Sequence, residues 1–136
     1  MDPAGKIRMG WIKGMYWYTI FGAGGSGVGM LFAPGLSQRL FGMGDQDPVF
    51  FGIAASIWLA FGVMSVFGLR APLTFLPVLC MQLLYKSVWV AGVIVPLVVT
   101  GNLPDYAGPV IVIMASYIVG DLIAIPFSYV FAKGKN

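Results

Sequence analysis

The sequence predicts an all-α membrane protein: a four-transmembrane-helix antiparallel bundle with both termini cytoplasmic and a short interfacial turn between helices 1 and 2. Three observations carry that prediction. First, the 136-residue chain is 59% hydrophobic and only 10% charged, against roughly 25% charged in ordinary soluble domains. Second, charge-free runs cover Gly14–Gln38, Pro48–Leu69, Ala71–Tyr85, Ser87–Pro104 and Tyr106–Gly120, and a spanning helix needs about 20 mostly apolar residues. Third, the basic residues gather at alternate ends of those runs.

The runs define one transmembrane domain over residues 1–136. It comprises a basic cytoplasmic segment (1–14), four spans (15–32, 48–69, 75–100 and 106–131) and a short tail (132–136). Lys6, Arg8, Lys13, Arg70, Lys133 and Lys135 fall on one side of such a bundle, and Arg39 alone falls on the other. Basic residues beside spans mark the cytoplasmic face. Both termini are therefore expected inside, in a multi-pass protein of the inner membrane. The net charge of +3 reflects this orientation, so no nucleic-acid partner is expected. The basic start is read as an uncleaved first span, because its apolar run outlasts the 7–15 residues of a signal peptide.

Span 1 opens on an interfacial aromatic cluster, Trp11, Tyr16, Trp17 and Tyr18, of the kind that settles at headgroup level. It continues through Gly22-Ala23-Gly24-Gly25-Ser26-Gly27-Val28-Gly29. Gly22, Gly24 and Gly27 match the letters of a dinucleotide-binding fingerprint. That motif requires a strand–turn–helix context, and no strand is predicted here. The same residues form small-xxx-small patterns, Gly22/Ser26 and Gly25/Gly29, which let membrane helices approach closely. Gly52/Ser56, with Ala54 and Ala55, offers a matching surface on span 2. Helix packing is the expectation, and a groove for a lipid or quinone tail is the alternative.

Pro34 closes span 1, because proline cannot continue the hydrogen-bond ladder. Leu36, Leu40, Phe41 and Met43 then recur at helical spacing and suit a turn lying on the outer interface. Asp47-Pro48 predicts a helix start, with Asp as N-cap and Pro in the first helical position. Pro77 and Pro96 in span 3, and Pro109 and Pro126 in span 4, are expected to kink their helices.

Lys86 and Asp121 are stranded within spans 3 and 4. A hairpin turning near residue 103 sets Lys86 opposite residue 120, one position from Asp121. An ion pair is expected there, with Gln82, Tyr85 and Trp89 on the lysine's helix face and Tyr117 one turn before the aspartate. Trp89 is expected to cover the ammonium through a cation–π contact. The pair either braces helix register or forms a ligand or proton site, since ionisable residues inside a membrane are functional candidates.

Much chemistry is excluded. With no His and a single cysteine, Cys80, the chain cannot build a His-ligated haem or a thiolate–imidazole metal site. No nucleophile–His–acid set exists. No cofactor, metal or catalytic residue is therefore assigned, and the protein is not expected to be an enzyme.

Phe32-Ala33-Pro34, the Gly-rich second span, Gln82-Leu83-Leu84-Tyr85-Lys86-Ser87-Val88-Trp89, Asp121 and Pro126 together resemble small four-helix bacterial membrane proteins of the DoxX-like group. The resemblance implies a link to quinone-coupled redox complexes and hence an accessory role. The leading expectation is an accessory or structural subunit of a larger membrane complex, partnered by the lipid bilayer and by other subunits or copies of itself. The alternatives are a binder of a lipophilic ligand, quinone or lipid, at the Lys86–Asp121 site, and a proton-coupled transporter.

Overall fold

The structure, a computed structural model, describes residues 6–132 and Gly134. The expected basic residues Lys133 and Lys135, and segment 1–5, lie outside the described residues. Everything regular within them is helical.

The chain opens with α1 (Met9–Thr19), a wide π-helical turn (Ile20–Gly24) and α2 (Gly25–Phe32), which follow one another without a break. The helix thus starts earlier than the expected boundary at residue 15. Ile12, assigned to a surface segment by sequence, is fully buried. Helix α3 (Pro34–Leu40) follows directly, with proline in its first turn and Leu36 and Leu40 exposed.

Helix α4 (Pro48–Arg70) starts as the Asp47-Pro48 pair predicts. The Asp47 carboxylate accepts from the backbone N–H groups of Val49 and Phe50, both at 3.0 Å, satisfying donors that have no partner within the helix. After a short connection come α5 (Leu76–Trp89), a second π turn (Val90–Ile94) and α6 (Val95–Val99). Pro77 occupies the first turn of α5, where its missing N–H costs nothing, so it introduces no kink. Pro96 does act within the span. Its ring conflicts with the carbonyl one turn earlier, and the ladder widens into the π turn just before it.

Helix α7 (Ala107–Ala124) ends well before the expected boundary at residue 131. Ile125 is extended (φ −71°, ψ 119°), as the residue before a proline is pushed to be. Pro126 then leads into the single turn of α8 (Phe127–Val130).

Among the described residues, three helical stretches are long and apolar enough to cross a membrane: Pro48–Arg70, Leu76–Val99 and Ala107–Ala124. The run 9–32, diluted by its glycines and by Tyr16, Trp17 and Tyr18, is not among them. Three of the four expected spans thus meet that measure. Their surfaces are oily. Phe50 is 74% exposed and Val99 79% exposed, which suits contact with lipid rather than water.

Helix α1 packs on α4 and α7, α2 on α4, and α5 on α4 and α7. The buried apolar cluster joins Ile12, Met15 and Tyr16 of α1, Leu76 and Leu79 of α5, Tyr117 and Ala124 of α7, and Ile125 just beyond it. The protein is solid at that end. Tyr16 fastens it, donating its hydroxyl to the Pro72 carbonyl at 2.7 Å with its ring laid on Gly68.

The glycine contacts differ from the sequence expectation. A Cβ on Gly62 would lie 2.5 Å from the Gly24 Cα, and one on Gly27 would lie 2.6 Å from the Leu59 nitrogen and 2.7 Å from the Ala55 carbonyl oxygen. These are the positions where the first helical run and α4 approach closely. Gly25 and Gly52 instead face open space, Gly29 meets Ser37, and Ser56 is exposed with its hydroxyl donated to the Gly52 carbonyl at 2.8 Å. Glycines surround this helix on every side, so spacing alone selects no unique face.

Candidate functional site: a cavity closed by Lys86

Above the solid end the helices diverge around a cavity of about 850 Å³. That volume falls within the roughly 300–1,000 Å³ of small-molecule sites. Its wall is mostly apolar and aromatic, with Trp17, Phe21, Trp58 and Trp89 among the lining side chains. Phe41, Met43, Pro104 and Tyr106 line it near the connections at the opposite end from the solid core. Those two connections meet, because a Cβ on Gly42 would touch the Tyr106 Cβ at 3.6 Å.

The polar residues predicted to converge do so, in two layers. Lys86, Tyr85 and Tyr117 line the cavity and form its floor. Behind them, fully buried, lie Gln82, Asp121 and Thr19. The Gln82 amide donates to both Asp121 carboxylate oxygens, at 3.1 and 3.3 Å. The Thr19 hydroxyl donates to the Met15 carbonyl at 2.7 Å and lies 3.2 Å from Gln82 Oε1.

Lys86 is 1% exposed, and among the described residues its ammonium has no hydrogen-bond partner, Asp121 included. The expected direct ion pair is therefore replaced by a Gln82–Asp121 pair with the lysine set apart from it. Gln82 sits one turn before Lys86 on α5 and reaches the carboxylate first. The ammonium instead lies over two rings, 4.0 Å from the centre of Tyr117 and 4.7 Å from that of Tyr85. The expected cation–π partner, Trp89, lines the cavity without covering the cation.

The rings are held firmly. Tyr117 donates its hydroxyl to the Tyr18 carbonyl at 2.9 Å, beside the π turn. Gly22 makes that possible, since any Cβ there would collide with the Tyr117 hydroxyl. Tyr18 stacks edge-on against Tyr117 at 4.0 Å and shares a 2.7 Å hydrogen bond with Ser116. Gly22 and Ser26, expected to serve helix packing, both line the cavity. Tyr18, Thr19 and Trp58 are site residues that sequence analysis did not select. Thr19 was visible as the one polar residue between Tyr18 and the glycine run.

A lysine ammonium carries three donors and no acceptor, and burying it without a hydrogen bond is costly. The arrangement therefore leaves donors unused beside the Tyr85 and Tyr117 rings, on a residue that lines the apolar chamber. Among the described residues, no group of three His, Cys, Asp or Glu side chains is placed to hold a metal ion. No family model, curated protein or solved structure matches this chain.

Proposed function

We propose that this protein binds a lipophilic molecule inside the membrane, with an oxygen-bearing head at Lys86 and an apolar body along the aromatic walls. The single observation carrying the proposal is the fully buried Lys86 ammonium, free of hydrogen bonds, at the floor of a large apolar cavity. Lipids and quinones both have the required form. The cavity supports this function over a purely structural subunit, which has no use for an apolar chamber of this size beside a buried lysine. An accessory place in a larger complex, implied by the DoxX-like resemblance, is compatible with carrying such a ligand.

The proposal includes a four-span antiparallel bundle in an inner membrane, with both termini cytoplasmic. The run 9–32 serves as the remaining span, supported by its continuous helix and by the clustering of Lys6, Arg8, Lys13 and Arg70 at the solid end.

Purification in gentle detergent followed by native mass spectrometry tests the function. A small-molecule adduct on the parent protein, depleted in Lys86→Met, is expected. Parent protein free of small molecules but stoichiometrically bound to other membrane subunits would favour the structural role.

A further inference from the structure

The charges around the cavity restrict the head group further. Resting on the binding function proposed above, we infer that the bound molecule carries an uncharged oxygen acceptor, a ketone or ester carbonyl, rather than a carboxylate, phosphate or ammonium. Three features of the site lead there.

At the floor, Lys86 offers only donors. An ammonium head would set donors against donors and cation against cation. An acceptor is required.

Behind the floor, Asp121 and Lys86 are one acid and one base, whose charges sum to zero whether both are ionised or both neutral. Gln82 holds that carboxylate in place through both oxygens. A buried anionic head would add a second negative charge with no cation to offset it, and uncompensated charge in an apolar interior is strongly disfavoured. A neutral carbonyl takes the free donors and leaves the balance intact.

At the connection end of the cavity, the loops carry Asp45, Asp47 and Asp105 against Arg39, all exposed. Asp105 lies between two cavity-lining residues, Pro104 and Tyr106, and Asp45 lies two positions after Met43. An anion approaching from that end meets a net negative charge.

Four radiolabelled probes with the same sixteen-carbon chain test the inference: methyl hexadecanoate, hexadecanoate, hexadecylamine and hexadecane. Binding to the full chain in detergent micelles is measured, with protein-free micelles subtracted. The ester is expected to bind at least about tenfold more tightly than each of the other three. Lys86→Met should erase its advantage over hexadecane while both still bind. Hexadecanoate or hexadecylamine binding as tightly as the ester would overturn the neutral-head inference and leave the binding function standing. No probe binding above micelle background would instead overturn the binding function itself.

Discussion

Gln82, one helical turn before Lys86, takes the Asp121 carboxylate through both oxygens at 3.1 and 3.3 Å and so separates the two buried charges. Lys86 contributes its charge and its stem to the core but no hydrogen bond. The two ionisable residues therefore differ in what their removal leaves behind.

Asp121→Leu should be much the more damaging change. It orphans the Gln82 amide and leaves the lysine without a counter-charge, a loss on the order of 3–5 kcal/mol. Lys86→Met leaves the Asp121 carboxylate without a counter-charge, but the two bonds from Gln82 remain, so a smaller loss is expected, about 1–3 kcal/mol. Gln82→Leu should cost about 1.5–3 kcal/mol, the value of hydrogen bonds to a charged group. Thermal unfolding in detergent ranks the three. Equal losses for Lys86→Met and Asp121→Leu would mean that the lysine is bonded to the carboxylate.

Gly62→Ala and Gly27→Ala should each cost about 1–3 kcal/mol, the usual range for overpacking. Each new Cβ meets backbone rather than a yielding side chain. Gly25→Ala and Gly52→Ala meet nothing and should change stability by less than about 0.5 kcal/mol. The same melting assay checks both pairs, and the reverse order would place the helix contact on the other glycine face.

Tyr117→Phe isolates one hydrogen bond. It removes the hydroxyl donated to the Tyr18 carbonyl while keeping the ring over Lys86. A loss of about 1 kcal/mol is expected, with ligand binding retained. Gly22→Ala should cost more and also weaken binding, because its Cβ displaces the whole ring. Melting curves paired with probe binding separate the two effects.

Orientation is tested by cysteine labelling in intact cells, with Cys80 replaced by alanine. Cysteines placed at Ala4 and Gly134 should be protected from an impermeant reagent, and one at Gln46 should react. Labelling of Ala4→Cys and Gly134→Cys, with Gln46→Cys protected, would reverse the topology.

The helical class was legible because long charge-free runs have few other solutions, and the α4 start because Asp47-Pro48 satisfies local geometry. The convergence of Lys86, Gln82, Tyr117 and Asp121 was legible too, since hairpin register depends only on rise per residue. The detail within that cluster was not. Whether Lys86 or Gln82 claims the carboxylate depends on rotamers and side-chain reach, which spacing does not encode. The π turn at Ile20–Gly24 and the break at Ile125 also moved residues off an ideal helical count. The cavity was anticipated only as the alternative use of the Gly22/Ser26 face, without its size or its full lining. It arises from helix divergence around Trp17, Trp58 and Trp89, and a single sequence carries no measure of how far helices separate.

The most direct test of the binding claim locates the head group. A long-chain ester bearing a photoactivatable diazirine beside its carbonyl is incorporated into membranes containing the protein, photolysed, and mapped by peptide mass spectrometry. Adducts should concentrate on Tyr85, Lys86 and Tyr117 and should be competed away by unlabelled ester. Adducts confined to outward-facing residues such as Phe50 and Val99, unaffected by competitor, would show that the molecule lies in the surrounding lipid and that the cavity does not bind it.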